Sequence, residues 1–156
     1  MAKATPATVA LAKAGIAFTL HEYDYDPGER GVGPQAAQAL GIEPARLLKT
    51  LMIGAGGATL CVLVATDRTV NLKRLAAAAG AKDAALLEPA VAERATGYHV
   101  GGISPFGQKK RARTVLDAAA VGFATVFVNG GRRGLEIEVR SDDLVRVLDA
   151  RVLDLT

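Results

Sequence analysis

The alternation of apolar and polar positions changes period several times along this chain, and each change marks an element. Thr5-Pro6 is a cap residue followed by a first-turn proline, and the Ala-rich segment it opens is closed by Gly15. Residues 16–23 then alternate with period two: Ile16, Phe18 and Leu20 point one way, and Ala17, Thr19, His21 and Tyr23 the other. The core takes the first set, so the second faces a cleft or solvent. Asp24 to Gly33 is a polar loop, and Pro34 to Leu40 is a short helix closed by Gly41. Leu47 to Ile53 and Ala58 to Ala65 read as strands of a hairpin joined by Gly54-Ala55-Gly56-Gly57. Asn71 caps an Ala-rich helix ending at Gly80, and Pro89 starts another that ends near Thr96-Gly97. Thr114 to Leu116 and Phe123 to Val128 read as strands. Asn129-Gly130-Gly131 turns the chain into the alternating strand Leu135 to Val139. Ser141 is expected to cap a last helix, and Val152 to Leu155 to form an edge strand. With no internal repeat, low-complexity tract or linker, residues 1–156 read as a single α+β domain, its hairpin-rich sheet flanked by helices.

Composition narrows this picture. Half of the 156 residues are hydrophobic but only 4% are aromatic, so Ala, Val, Leu and Ile must build the core. No apolar run approaches the roughly 18 residues of a membrane span. Met1 to Gly15, with Lys3 and Lys13 around a short Ala-rich segment, reads as a helix rather than a signal peptide. The single cysteine, Cys61, excludes an intrachain disulfide, which makes a reducing cytoplasm the expected compartment. The net charge of +3 is modest, but its distribution is not even. Lys109, Lys110, Arg111 and Arg113 lie together, and Arg132 and Arg133 sit in a glycine-rich turn. Such clusters suit a polyanion or form a solvated face.

The candidate chemistry centres on the run from Thr96 to Lys110, where Gly101, Gly102 and Pro105 precede the basic cluster. Paired glycines let a backbone approach a ligand and turn its N–H groups into a cavity, and proline stiffens the loop. Nucleophiles are scarce. His21, His99 and Cys61 show no metal-ligand spacing, and neither a metal nor another cofactor is expected. Cys61 lies in the apolar run Thr59 to Val64 and reads as a small core residue. Ser104 is followed by Pro105, unlike the serine of a nucleophile elbow. Lys49 stands out within Leu47 to Ile53, on the face shared with Leu51 and Ile53. It either snorkels to water or presents a partly desolvated ammonium to a carbonyl or anion. Tyr23 either packs, with its hydroxyl at a rim, or orients a polar substrate group.

Taken together, these residues resemble the YbaK family of trans-editing proteins, which deacylate mischarged Cys-tRNA(Pro). The resemblance runs through His21-Glu22-Tyr23, Lys49-Thr50-Leu51, Leu72-Lys73, Thr96-Gly97-Tyr98, Gly101 to Pro105, Gln108-Lys109-Lys110 and Gly130 to Ile137, nearly the whole chain. It implies the fold shared with the editing domain inserted in bacterial prolyl-tRNA synthetases, a mixed and partly barrel-like sheet flanked by helices. It also implies Lys49 and Tyr23 as the active lysine and tyrosine. Gly101, Gly102, Ile103, Ser104, Pro105, Asn129, Gly130 and Glu136 would contact substrate, while Lys109, Lys110, Arg111, Arg113, Arg132 and Arg133 would contact tRNA. In the implied reaction the substrate's own thiol attacks its ester carbonyl, releasing a thiolactone and free tRNA. A chain without a persuasive nucleophile fits that chemistry, because proximity alone activates an ester. Backbone N–H groups around Gly101 and Gly102, with Lys49, would stabilise the oxyanion, and a side chain at position 101 would block the aminoacyl group. Lys49 could instead anchor the terminal ribose or phosphate. The expected partners are mischarged tRNA and, transiently, prolyl-tRNA synthetase, with no membrane. Asn129, Glu136 and Val32 stand where the resemblance leads one to expect serine, aspartate and an aromatic residue. They leave open a deacylase for another small amino acid such as alanine, or a catalytically silent tRNA-binding module.

Overall fold

Thr5 fixes the start of the first helix as its spacing predicts. Its hydroxyl accepts from the Thr8 amide and the Thr8 hydroxyl accepts from the Thr5 amide, a reciprocal cap that starts α1 (Pro6–Lys13). The computed structural model describes residues 3–28 and 31–156. Within them β1 (Phe18–Glu22) and α2 (Val32–Leu40) follow, then the hairpin β2 (Leu48–Ala55) and β3 (Ala58–Ala65). Its turn is tighter than the glycine run suggests: Gly56 and Gly57 alone span it, at φ +58° and +81°. Positive φ at both central positions matches the twist of paired strands. Next come α3 (Leu72–Ala78), β4 (Ala84–Leu86), α4 (Pro89–Thr96), β5 (Arg113–Asp117), β6 (Thr125–Asn129), β7 (Leu135–Arg140), α5 (Ser141–Leu148) and β8 (Arg151–Leu153).

The strands form two sheets, an antiparallel one in the order β1-β7-β6 and a mixed one in the order β4-β2-β3-β5-β8. They meet at one parallel bridge between Leu47 and Phe127. The expected partly barrel-like sheet is therefore two sheets touching at a corner, not closed into a barrel. Between them lies the main core, in which Leu48, Met52, Cys61 and Leu63 meet Val126, Val128, Ile137 and Val139 under α1, α4 and α5. On the far side of the mixed sheet Ile53, Leu60, Val62 and Val64 pack under Leu75 of α3. Burial on both faces explains why β3 reads as a continuous apolar run.

Three expectations change. Leu20 shares the core side with Phe18, opposite Ile137, yet stays 37% exposed because β1 is an edge strand. Ser141 does not cap α5: it is the first helical residue, and its hydroxyl donates to the Phe123 carbonyl at 2.6 Å. Ala84–Leu86, too short to show a period, adds a strand alongside Ile53 to Ala55.

Candidate active site

Among the described residues β4 pairs with β2 only at Ile53, Gly54 and Ala55, and β6 bridges that side only at Leu47, so Leu48 to Leu51 have no ladder partner on that edge. A cavity of about 290 Å³ opens along that edge. Its walls come from Leu47 to Leu51, from Val32 and Gly33 at the start of α2, from Thr66, from Val100, Gly101 and Ile103, and from Asn129 and Glu136 on adjacent strands. The structure thus brings together Lys49, part of the glycine loop and the two positions on β6 and β7, which are up to 87 residues apart in sequence.

Two groups that ionise line this cavity among the described residues, Lys49 and Glu136. Burial holds the Lys49 ammonium below the usual lysine range, and the nearby Asp67 carboxylate partly offsets this. No ion pair to Lys49 occurs among the described residues. Glu136 is 3% exposed and burial pushes its carboxyl up to about 8. Among the described residues nothing donates a hydrogen bond to it. Tyr23 lies just behind: its hydroxyl donates to the Val32 carbonyl at 3.4 Å, and burial first, then Glu136, raises its pKa. It packs with Ile42 against Ala36, Ala37, Leu47 and Phe127, under α2.

Asn129 is a tether. Its amide donates to the carbonyls of Gly101 (3.3 Å) and Arg132 (3.2 Å) and its oxygen accepts from the Gly131 amide (2.7 Å). It joins the 101 loop to the turn after β6 while lining the cavity. The amides of Gly101 and Ile103 have no partner among the described residues, whereas Gly102 donates to the His99 carbonyl at 2.8 Å. Among the described residues, the cavity-lining positions of this loop whose amides lack a partner are therefore 101 and 103. A side chain at Gly101, which has φ +90°, would not enter the cavity first. Its Cβ would lie 2.5 Å from Arg133 Nε. Gly102 is glycine because a Cβ there would meet the Arg132 backbone at 2.9 Å.

The remaining predicted residues lie elsewhere. Ser104 is fully buried, its hydroxyl accepting from the Phe106 amide. Pro105 faces a different cavity, shared with Arg111 and α5. Gly130 belongs to the hairpin turn, donating to Leu135 and accepting from the Thr5 hydroxyl. Lys109, Lys110, Arg111 and Arg113 are exposed and none lines the Lys49 cavity, while Arg132 and Arg133 flank its glycine loop. Cys61 is buried and its thiol is pushed up to about 12, so it is inert. His21 binds Glu138 at 3.0 Å and sits edge-on to Phe127, in a support that also includes Arg46. Sequence reasoning missed Thr50, whose hydroxyl is buried next to Lys49 without a partner among the described residues, and Gly33, where a Cβ would collide with Thr66. A lysine and threonine together on an apolar strand, and a glycine entering a helix, were the available signals.

Residues 29–147 match the family described as the aminoacyl-tRNA editing domain. The chain is 31% identical over 137 residues, 86% of its length and 84% of the relative's, to the "Putative Cys-tRNA(Pro)/Cys-tRNA(Cys) deacylase EbsC" of Enterococcus faecalis. It is 35% identical over 98 residues to a proline–tRNA ligase of Acidithiobacillus ferrooxidans, covering 63% of this chain and 17% of that enzyme. In fold it matches a crystal structure described as "a putative trans-editing enzyme for prolyl tRNA synthetase", with TM-score 0.86, 23% identity and coverage of 97% and 94% of the two chains. A second structure, hypothetical protein APE2540, matches with TM-score 0.87, 24% identity and coverage of 97% and 99%. With its lysine, glycine loop and cavity in one place, this chain belongs to the YbaK family of aminoacyl-tRNA editing domains.

Proposed function

We propose that this protein is a trans-editing deacylase that removes cysteine from mischarged tRNA(Pro), with the substrate thiol as the attacking group. One observation carries this reading. A cavity of about 290 Å³ holds a half-buried lysine and a buried carboxyl, and among the described residues no serine, cysteine or histidine lines it. The hydroxyls of Thr50 and Thr66 also line it, but neither is hydrogen-bonded to a base among the described residues, so such a site can fold and polarise an ester without an activated nucleophile of its own. The thiol sulfur attacks the ester carbonyl, the C–O bond to the terminal ribose breaks, and the thiol proton ends on the ribose oxygen. The products are a cyclic thiolactone and free tRNA.

Each lining group has a part in this scheme. The Lys49 ammonium and the unpaired amides of Gly101 and Ile103 stabilise the oxyanion; loss of one such donor typically costs about 10²–10³ in rate. Glu136, without a donor of its own, accepts the substrate's α-ammonium, whose charge offsets the cost of ionising a buried carboxyl. Tyr23 supports the α2 wall through Val32. Ser104, Pro105 and Gly130 hold the loop and turn that frame the cavity, and Lys109 to Arg113 contact tRNA phosphates. The match to a proline–tRNA ligase supports tRNA(Pro) as the substrate and a transient association with prolyl-tRNA synthetase.

The test is deacylation of Cys-tRNA(Pro) and Ala-tRNA(Pro) side by side, by the wild type and Lys49→Ala. Lys49-dependent loss of cysteine alone is the expected result. Loss of alanine as well would make water the attacking group for that substrate. Undiminished activity in Lys49→Ala would remove Lys49 from the chemistry.

A further inference from the structure

The Lys49 cavity has a neighbour. A second cavity of about 470 Å³ is lined by Glu93, His99, Gly102, Gly131, Arg132 and Arg133, and shares Val100 with the first. Most charges around it are already matched. Glu93 accepts from the Val100 amide at 2.8 Å and faces His99 Nδ1 at 3.5 Å. Arg132 reaches Glu22 at 3.1 Å. Arg133 differs. Among the described residues it has no carboxylate partner. Its guanidinium donates to the Val100 carbonyl at 2.9 Å and lies over the Tyr25 ring, 5.3 Å from the centroid.

Gly101 makes this placement possible. A Cβ there would stand 2.5 Å from Arg133 Nε, so a side chain at 101 would displace the guanidinium from its place against Gly101, which itself lines the Lys49 cavity. A planar cation held flat, backed by an aromatic ring and lacking a counter-charge, can stack a base and bind a phosphate at once. Lys109, Lys110 and Arg111 line neither of these two cavities.

Resting on the deacylase reading above, we propose that Arg133, stacked on Tyr25 at the rim of the Lys49 cavity, docks the single-stranded 3′ end of the tRNA. The neighbouring cavity then takes the phosphodiester that precedes the terminal nucleoside. The strand crosses Val100 and Gly101 to deliver its ester to Lys49, and the Lys109 cluster is left for another part of the tRNA.

The test is binding of a short single-stranded RNA ending in CCA, followed by fluorescence anisotropy over a range of salt, with no amino acid attached. Arg133→Ala is expected to weaken binding roughly 5- to 150-fold, the range for losing one stacked base, and to lower the salt slope by about 0.7 for one phosphate no longer neutralised. Arg133→Lys should restore the slope but not the affinity, because a lysine cannot stack as a plane. Replacing Lys109, Lys110 and Arg111 together by alanine should affect this oligonucleotide less than Arg133→Ala does. Wild-type binding by Arg133→Ala, or weaker binding with an unchanged salt slope in that variant, would overturn the proposal. So would a larger loss from the triple replacement than from Arg133→Ala. Since the probe carries no ester, failure of the deacylation assay leaves this result standing. Conversely, Lys49-dependent deacylation together with wild-type RNA binding by Arg133→Ala would sink the docking site alone.

Discussion

Lys49 and Glu136 are held in the cavity against their own solvation, and both should show it. The lysine's pKa is lowered by burial, so its charged form weakens the fold in full below the lowered folded value, and this cost is relieved as the pH rises from there to the unfolded-state pKa. Lys49→Met should therefore abolish turnover while leaving the thermal midpoint equal to or above that of the wild type at neutral pH, as measured by calorimetry; a large drop in the midpoint would mean that Lys49 is structural. Glu136 is shifted the other way, from 4.5 to about 8. Between those values the folded state holds a proton that the unfolded state has released, so stability falls as the pH rises through that window. Glu136→Gln removes this group's part of the slope. Urea midpoints from pH 5 to 9 should decline less in the variant than in the wild type, and parallel profiles would mean that the carboxyl is not perturbed.

Elements meet through glycines where backbones nearly touch. A Cβ on Gly107, which has φ +67°, would fall on the Pro6 carbonyl at the start of α1. Gly107→Ala combines overpacking with left-handed strain and should cost about 2–4 kcal/mol, read from the urea midpoint. Gly15, with φ +70° and no atom of the other described residues within 4 Å of its Cβ position beyond its chain neighbours, tests the contrast: Gly15→Ala carries the conformational penalty alone, about 1–2 kcal/mol. Equal losses at the two sites would mean that Gly107 and α1 are not in close apposition. Gly102 meets the Arg132 backbone in the same way as Gly107 meets Pro6. The glycine loop is thus shaped as much by the β6–β7 turn pressed against it as by any ligand.

At the scale of the whole molecule, two sheets joined among the described residues by a single bridge, Leu47 to Phe127, leave a gap at their corner, and α2 and the 101 loop roof it into the cavity. No described helix is long and apolar enough to cross a membrane. The exposed run from Lys109 to Arg113 lies outside that cavity, where it can follow a nucleic-acid backbone. Replacing Lys109, Lys110 and Arg111 by alanine should weaken binding of whole tRNA and reduce the salt slope by about 0.9 for each duplex phosphate no longer neutralised. An unchanged slope would return the cluster to a solvated face.

Most elements were legible in the sequence, because caps, turns and periods are local. Thr5-Pro6, Asn71, Gly41 and the Leu47–Ala65 hairpin each act within a few residues, and each appears where its chemistry points. The candidate site was legible in part: cavity-lining Lys49 shows as a charge in an apolar strand, and buried Cys61 as a small residue in an apolar run. Only the tertiary structure decided which residues share a cavity. Ser104 and Pro105 are neighbours of Ile103 in sequence yet do not line the cavity, while Thr66 comes from the turn after β3 and Asn129 and Glu136 from distant strands. Their meeting depends on sheet register and on the close approach of remote backbones, such as Gly102 against Arg132, which no local pattern encodes.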